Sequence, residues 1–519
     1  MPWEWCVALL IASAHELRGQ TAAGSGAESV GLTEVQRGAA LAQQYCSACH
    51  LFPEPSLLDK KTWINGALRK MAPYLGVARI RYAGRPDGAR LEASHLFPPA
   101  PWLTETEWNA IRHYYAQEAP ETAHPSPARD PIGMTLPGFS VERLGNVRTP
   151  PLTTFVKVDG AKREILLGDA GLGVLSRFGS GGRWLGETPV RGATVGLCLD
   201  GGRTFATLIG EVFPSDVPSG KLVVLPDIGS EGAPKEVLTG LQRPTCTVVS
   251  DFNGDGRNDF LICSFGNYLG RLSWFEQLPN GQFDEHVLLD TPGALKAEVL
   301  DVNGDGSMDF FVLMAQGNEG LFLFTNQGNG DFSVRPLLRF HPAFGSTGFE
   351  LVDMNGDRFP DVLLTNGDNG EYPSPFKNYH GVRIYLNNGH YQFTEALFYP
   401  LNGAFKAVAR DFDGDGDVDV AAISFFADYS RPEETGFVYL QQQGAMQFTA
   451  QTVAEARLGR WLTMDAGDVD GNGSLDLVLG SFAQGPPGIE IPSALQVAWR
   501  TNGVSGLLMR NLVIPSKKP

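Results

Sequence analysis

The 519-residue chain is short of positive charge: 41 Lys and Arg stand against 58 Asp and Glu, for a formal charge of -17. No basic run or stripe occurs, which excludes a surface built to hold nucleic-acid phosphates. Long apolar runs are missing too. Past residue 14 no stretch approaches 18 consecutive apolar residues, so no later segment reads as a membrane-spanning helix. Cysteines number six, and no two are adjacent. Setting aside Cys6, Cys46 and Cys49 leaves an odd three, Cys198, Cys246 and Cys263, in strand-like surroundings such as "FLICSFG". They read as small buried hydrophobes with at most one disulfide.

Turn formers are plentiful: 62 Gly and 35 Pro favour an all-β architecture over most of the length. The apolar share of 43% is that of folded protein, in a chain long enough for two to four domains. Near the start, "WCVALLIASA" (5 to 14) has the length of a signal-peptide core and ends in small residues. No basic residue precedes it, since Glu4 stands before the run and the first arginine is Arg18. The expectation is an exported protein with a signal segment over 1–22, against the alternatives of a misassigned start or a first helix.

"YCSACHLF" (45 to 52) places Cys46, Cys49 and His50 together. A zinc site would need two further ligands at suitable spacing, and a redox dithiol a surrounding βαβ pattern. The context is different. "TEVQRGAALAQQY" reads as a helix opened by Thr33 with Gln36 three residues on, leading into the cysteines. A helix that delivers C-x-x-C-H meets the needs of haem attachment. "KKTWINGALRKMAPYLG" (60 to 76) reads as a short helix with Trp63, Leu68 and Met71 on its apolar side, stopped by Pro73. "TETEWNAIRHYYAQEA" (104 to 119) is a closing helix with a Thr104 to Glu107 capping box.

On these motifs the domain expected over 23–120 resembles, from about residue 30 onward, a small class I cytochrome c domain. The resemblance implies one covalent haem c, thioether links from Cys46 and Cys49, and iron ligation by His50 and Met71. Such ligation leaves no open iron position and implies electron transfer to a redox partner protein. His95 and His113 are the rival ligands, and a core methionine is the alternative for Met71. Covalent haem attachment in turn implies a periplasmic, cell-envelope or secreted bacterial protein.

Residues 121–137 are proline-rich and polar, a linker, and 516–519 a tail. Between them an internal repeat is plain. "DFNGDGRND" starts at 251, "DVNGDGSMD" at 301, "DMNGDRFPD" at 353, "DFDGDGDVD" at 411 and "DVDGNGSLD" at 468. Positions 1, 3, 5 and 9 are Asp251, Asn253, Asp255 and Asp259; Asp301, Asn303, Asp305 and Asp309; Asp353, Asn355, Asp357 and Asp361; Asp411, Asp413, Asp415 and Asp419; and Asp468, Asp470, Asn472 and Asp476. Oxygen donors on alternate residues of a glycine-bent loop suit calcium better than magnesium, which demands stricter geometry. An EF-hand is excluded, because position 12 is not Glu and the flanks are strand-like. The third loop is the weakest copy, with Arg358 in place of glycine and Pro360 at its exit.

A repeat of about 50 residues built of short strands is the size of a propeller blade. Degenerate equivalents at 156–171 and 197–211 raise the count to seven, and the strand-like "FSVERL" (139 to 144) and "LLMRNLVI" (507 to 514) could close one blade from both ends. The loops resemble the FG-GAP or VCBS repeats of integrin-type propellers. The resemblance implies a propeller over 138–515 that holds about five calcium ions.

Together these readings point to an exported c-type cytochrome whose calcium-stabilised propeller docks a ligand or protein partner. The whole resembles the VCBS-repeat proteins with a fused cytochrome domain of bacterial cell envelopes. Two alternatives stay open: a haem-coupled dehydrogenase with its substrate site on the propeller face, and a calcium-dependent carbohydrate-binding or carbohydrate-cleaving propeller. The candidate ligand loop is 365–382, with Asp368, Asn369, Glu371, Tyr372, Lys377, Tyr379 and His380; its companion is 424–436, with Phe425, Phe426, Asp428, Tyr429 and Glu434. Such mixtures suit sugars, another small molecule or a protein surface. No catalytic residue is identified.

Overall fold

The computed structural model describes residues 32–145, 148–230, 232–370, 376–485 and 489–513. The proposed signal segment with Cys6, and the tail at 516–519, lie outside them. The chain divides into two units, one of residues 32–80 and 97–122, the other of residues 81–96 and 123–513.

The first unit is helical. Thr33 caps the helix Glu34–Cys46: its Oγ1 accepts the Gln36 N–H at 3.2 Å, and Gln36 Oε1 accepts the Thr33 N–H at 2.9 Å. Thr104 and Glu107 form the same reciprocal box at the start of Glu105–Glu118. These helices cross at Gly38, where a Cβ would stand 2.2 Å from the Ala110 carbonyl oxygen, an approach open to glycine alone. Between them Lys60–Thr62, Trp63–Ala67 and Leu68–Met71 run on as α, π and α turns, before the 3₁₀ turn Ala72–Leu75 ends at Gly76. Trp63, Leu68, Ile111 and Tyr115 fill the core. Met71, expected on the same apolar side, is 37% exposed. The buried stripe runs through Leu68, Ala72 and Leu75, which leaves the neighbouring Met71 at its edge.

The second unit is a β-propeller of seven four-stranded antiparallel sheets. Six blades follow in chain order, over 153–189, 194–241, 244–289, 294–339, 346–400 and 404–451. The seventh takes Trp461–Gly467, Asp476–Ser481 and Gly506–Asn511, and its outermost strand is Phe139–Arg143. Phe139 pairs with Asn511 and Arg143 with Leu507, so the two ends of the unit close the ring together. The degenerate repeats at 156–171 and 197–211 fall on the first hairpins of blades 1 and 2.

Each blade is covered on both faces by its neighbours, which removes the usual alternation of apolar and polar residues. The second strands Asp259–Ser264, Asp309–Met314, Asp361–Asn366, Asp419–Ser424 and Asp476–Ser481 are buried at every position. "DFFVLM" is therefore a continuous apolar run. Every innermost strand also begins with a register shift at the same place, from Thr153/Phe155 in blade 1 to Trp461/Thr463 in blade 7. A bulge re-aims one side chain. Thr154, Thr245 and Thr347 use it to donate to the carbonyls of Thr194, Leu295 and Ala404 in the next blade, at 2.7, 2.7 and 2.9 Å.

Residues 121–137 do not hang free as a linker would. Gly133 bridges Gln451 in parallel on the outer strand of blade 6, and Leu136 is buried in the core shared by blades 6 and 7. Arg129 donates to the Pro400 carbonyl at 2.6 Å and pairs with the buried carboxylate of Glu434. The outer strand Phe448–Gln451 has four residues, and the strap covers its open edge. Residues 81–96 also belong to this unit: Arg85 pairs with buried Asp87 and lies 5.7 Å over the Tyr268 ring.

Candidate functional site

In the helical unit, Glu34–Cys46 delivers the two thiols and the imidazole at its C-terminal end. Cys46 and Cys49 are both unpaired thiols. Burial pushes the Cys46 thiol up to about 11, with the neighbouring Tyr115 side chain offsetting part of the shift. The Tyr115 hydroxyl also donates to the Pro53 carbonyl at 2.7 Å, which pins the segment after the motif to the closing helix. His50 Nδ1 lies 2.7 Å from the Leu51 carbonyl oxygen, and burial lowers its pKa, so the ring is neutral at pH 7. The Nδ1 contact fixes the tautomer that presents Nε2 as the basic nitrogen. Among the described residues the three groups do not gather as a three-atom cluster of the kind that holds a bare ion. Cys46, Cys49 and His50, together with the exposed thioether of Met71, are residues of this unit that could hold a cofactor.

The five acidic loops join the first and second strands of blades 3 to 7, and all five have one internal design. The position 1 carboxylate accepts backbone N–H groups from positions 4 and 6. For Asp251 these are Gly254 and Gly256, both at 2.8 Å; for Asp468 they are Gly471 at 2.6 Å and Gly473 at 2.9 Å. Position 6 has a left-handed backbone, φ 83° at Gly256. Arg358 holds φ 74° there in the third loop, strain of about 1 kcal/mol that fits its standing as the weakest copy.

Position 9 behaves differently from positions 1, 3 and 5. Asp259, Asp309, Asp361, Asp419 and Asp476 are fully buried, and each accepts two backbone N–H groups. One comes from position 2 of the same loop, as from Val302 to Asp309 at 2.9 Å; the other comes from the third strand of the blade, as from Asn326 to Asp309 at 2.7 Å. The third-strand donors elsewhere are Gln277, Asn387, Gln442 and Asn511. Position 9 thus fastens loop to blade, whatever else it does. The donors went unnoticed in the sequence, although "TNQGNG", "LNNGHY" and "QQQGAM" repeat an amide before a turn. Asn326 and Asn511 also donate to Phe252 and Phe412, in the loop of the preceding blade, at 2.9 and 2.6 Å.

The ligand-forming potential is uneven. Asp411, Asp413 and Asp419, and likewise Asp468, Asp470 and Asp476, bring three carboxylate oxygens within 4.8 Å of one another. In the other three loops position 3 is Asn, whose Nδ2 donates to the position 5 carboxylate: Asn253 to Asp255 at 3.1 Å, Asn303 to Asp305 at 2.8 Å and Asn355 to Asp357 at 2.9 Å. Burial raises the Asp419 carboxyl to about 6, against a hydrogen bond from Tyr439. A cation would favour the ionised form of every such group.

The candidate ligand loops join second to third strands, and so lie on the opposite face from the acidic loops. Of the predicted members, Asn369, Tyr379 and His380 are buried; Glu371 and Tyr372 lie outside the described residues. Tyr379 stacks on Phe344 at 4.7 Å, and Lys377 donates to the Ala343 carbonyl at 3.1 Å. Gly370 donates to Asp368 at 2.9 Å. In the companion loop Phe425, Phe426, Tyr429 and Glu434 are buried. Both loops spend most of these side chains on their own packing.

FG-GAP-like repeats match the chain at residues 251–312, 301–364 and 411–479, which include all five acidic loops. No curated protein matches the sequence. Among solved structures, BBS1N in complex with ARL6DN is 11% identical, with 75% of this chain and 99% of that one covered and a TM-score of 0.43. A gluconolactonase from Xanthomonas campestris is 15% identical, covering 57% of this chain and 95% of that one, with a TM-score of 0.35. Scores this low say nothing about activity. The chain carries FG-GAP-like repeats on a seven-bladed propeller.

Proposed function

We propose that this chain is an exported c-type electron carrier, in which a haem held by the helical unit exchanges electrons with a partner protein and the propeller docks a ligand or protein. The observation that carries the reading is the donor set at the end of Glu34–Cys46: two unpaired thiols in C-x-x-C-H spacing, and a neutral imidazole oriented by the Leu51 carbonyl. These residues fit a covalently attached haem, with Cys46 and Cys49 as thioether links and His50 as one axial ligand. The exposed Met71 thioether is the second ligand, since it is not consumed by core packing. When bound, a haem would supply a one-electron couple, and His50 and Met71 are the residues that would hold its iron. The protein's own part is to hold the attachment helix against Glu105–Glu118 through Gly38 and Tyr115, and to keep His50 neutral.

Calcium belongs to the same proposal. The loops starting at 411 and 468 are the strongest sites, with three convergent carboxylates each. The role is to stiffen the hairpins of one propeller face, and a bacterial periplasm or cell surface supplies both calcium and the machinery that attaches haem.

Denaturing mass spectrometry of protein matured in a periplasm equipped for cytochrome c assembly tests the reading. One covalent haem on the 46–49 peptide is expected, and its absence refutes the electron carrier. Met71→Ala should keep the covalent haem, change the oxidised spectrum and lower the potential; an unaltered spectrum removes Met71 from the ligand set.

A further inference from the structure

The described parts of the blade 7 connection, 482–485 and 489–505, carry the helix Ser493–Asn502. Between this connection, Arg460 and Phe213 of blade 2 opens a cavity of about 410 Å³. That is within the usual size of a small-molecule site. Its lining includes Arg460 and Arg500, the amides Gln484 and Gln496, and the rings Trp499 and Phe213, without one carboxylate among the described residues. In a chain of formal charge -17 this reverses the prevailing sign.

Arg460 is the unusual member. It is 3% exposed, and its guanidinium stands 3.7 Å from the centroid of the Phe425 ring. Nε donates to the Phe425 carbonyl at 3.0 Å and Nη1 to that of Gln484 at 3.4 Å, while Nη2 has no partner among the described residues. Burial lowers its pKa to about 10, which still leaves it charged at pH 7. Two other arginines of the same face each meet a carboxylate: Arg129 pairs with Glu434 and Arg383 with Glu395. Arg460 meets none among the described residues, and a buried cation without a counter-ion is costly. Trp499 has already spent its indole N–H on the Arg457 carbonyl at 2.8 Å, so what it offers the cavity is apolar surface.

We propose that this cavity binds an organic carboxylate with an apolar or aromatic body. Arg460 and Arg500 supply the charge that the carboxylate neutralises, with the fork geometry that suits a bidentate acceptor. Trp499 and Phe213 flank the body. The proposal rests on the reading of the propeller as the ligand-binding half and needs nothing from the haem.

The test is isothermal titration of the full chain with phenylacetate, its neutral analogue phenylacetamide, and inorganic phosphate. Phenylacetate should bind about tenfold or more tightly than the amide. Arg500→Gln, at an exposed position of the helix, should weaken phenylacetate about tenfold with an unchanged melting temperature. Arg460→Lys keeps the charge but not the fork and should also weaken it. No heat with phenylacetate at about 10 mM, equal binding of the amide, phosphate binding as tightly as phenylacetate, or full affinity in Arg500→Gln would each overturn the proposal. Haem content is read by mass on the same samples. Binding without haem would sink the electron carrier alone, and haem without binding would sink this site alone.

Discussion

Glu319 allows a sharp pH prediction. Its side chain is fully buried beside blade 5, where Oε1 accepts the Ser346 N–H at 2.8 Å and the Ser346 hydroxyl at 2.5 Å. Oε2 has no partner among the described residues. Burial raises the carboxyl from its ordinary 4.5 to about 7, and the hydrogen bonds from Ser346 and the Lys377 ammonium offset only part of that. The folded protein therefore binds a proton that the unfolded chain has released between these two values. Stability from this group is greatest below pH 4.5 and falls as pH rises to 7 and beyond. At about 1.36 kcal/mol per pH unit the loss is about 3 kcal/mol. Glu319→Gln keeps the acceptor at Oε1 and cannot ionise, so that part of the pH dependence should vanish. Urea unfolding of the propeller at pH 5 and pH 8.5, in parent and variant at one fixed calcium concentration, measures it. The variant should come close to the parent at pH 5 and exceed it at pH 8.5. Parallel pH profiles for the two proteins would refute the reasoning.

The acidic loops and the strap supply two further tests. Asp301→Ala should lower the melting temperature mainly when calcium is present, whereas Asp309→Ala should cost about 2 to 4 kcal/mol with or without chelator, because it strands two buried backbone N–H groups. Equal chelator sensitivity of the two variants would refute the division of labour between positions 1 and 9. Arg129→Ala leaves the Glu434 carboxylate buried without its partner, at a cost of about 3 kcal/mol. Limited proteolysis should then cut within 121–137, and resistance equal to the parent's would mean that the strap is held elsewhere.

Much of the propeller was legible. Five copies of one acidic nonapeptide set the repeat length, and the apolar segments after each copy, such as "DFFVLM", marked the buried second strands. Phe139–Arg143 and Gly506–Asn511 looked like strands in need of a partner, and they are each other's. What stayed hidden depends on contacts between distant residues. Spacing alone makes Asp309 equivalent to Asp301, and only the third strand, through Asn326, shows that the two do different work. Spacing from Trp63 and Leu68 puts Met71 on the apolar side of its helix, whereas the buried stripe runs on through Ala72 and Leu75. Proline content made 121–137 look free, but Gly133, Arg129 and Leu136 each find a partner in blade 6 or 7. The cavity of Arg460 unites residues 213, 460, 483–485 and 489–500, which no local pattern connects.

The pairing of Phe139 with Asn511 also sets an order of events during synthesis. A ribosome makes the first of these residues long before the second, and until then a five-residue strand has no neighbour to hydrogen-bond. Blades 1 to 6 consist of consecutive hairpins and are free to form as they emerge, whereas blade 7 waits for Gly506–Asn511. Closure is thus the contact with the greatest loop to gather and the natural slow step of folding. An interrupted chain would be left as an open arc with an unpaired edge at each end, the form most exposed to mispairing with another copy.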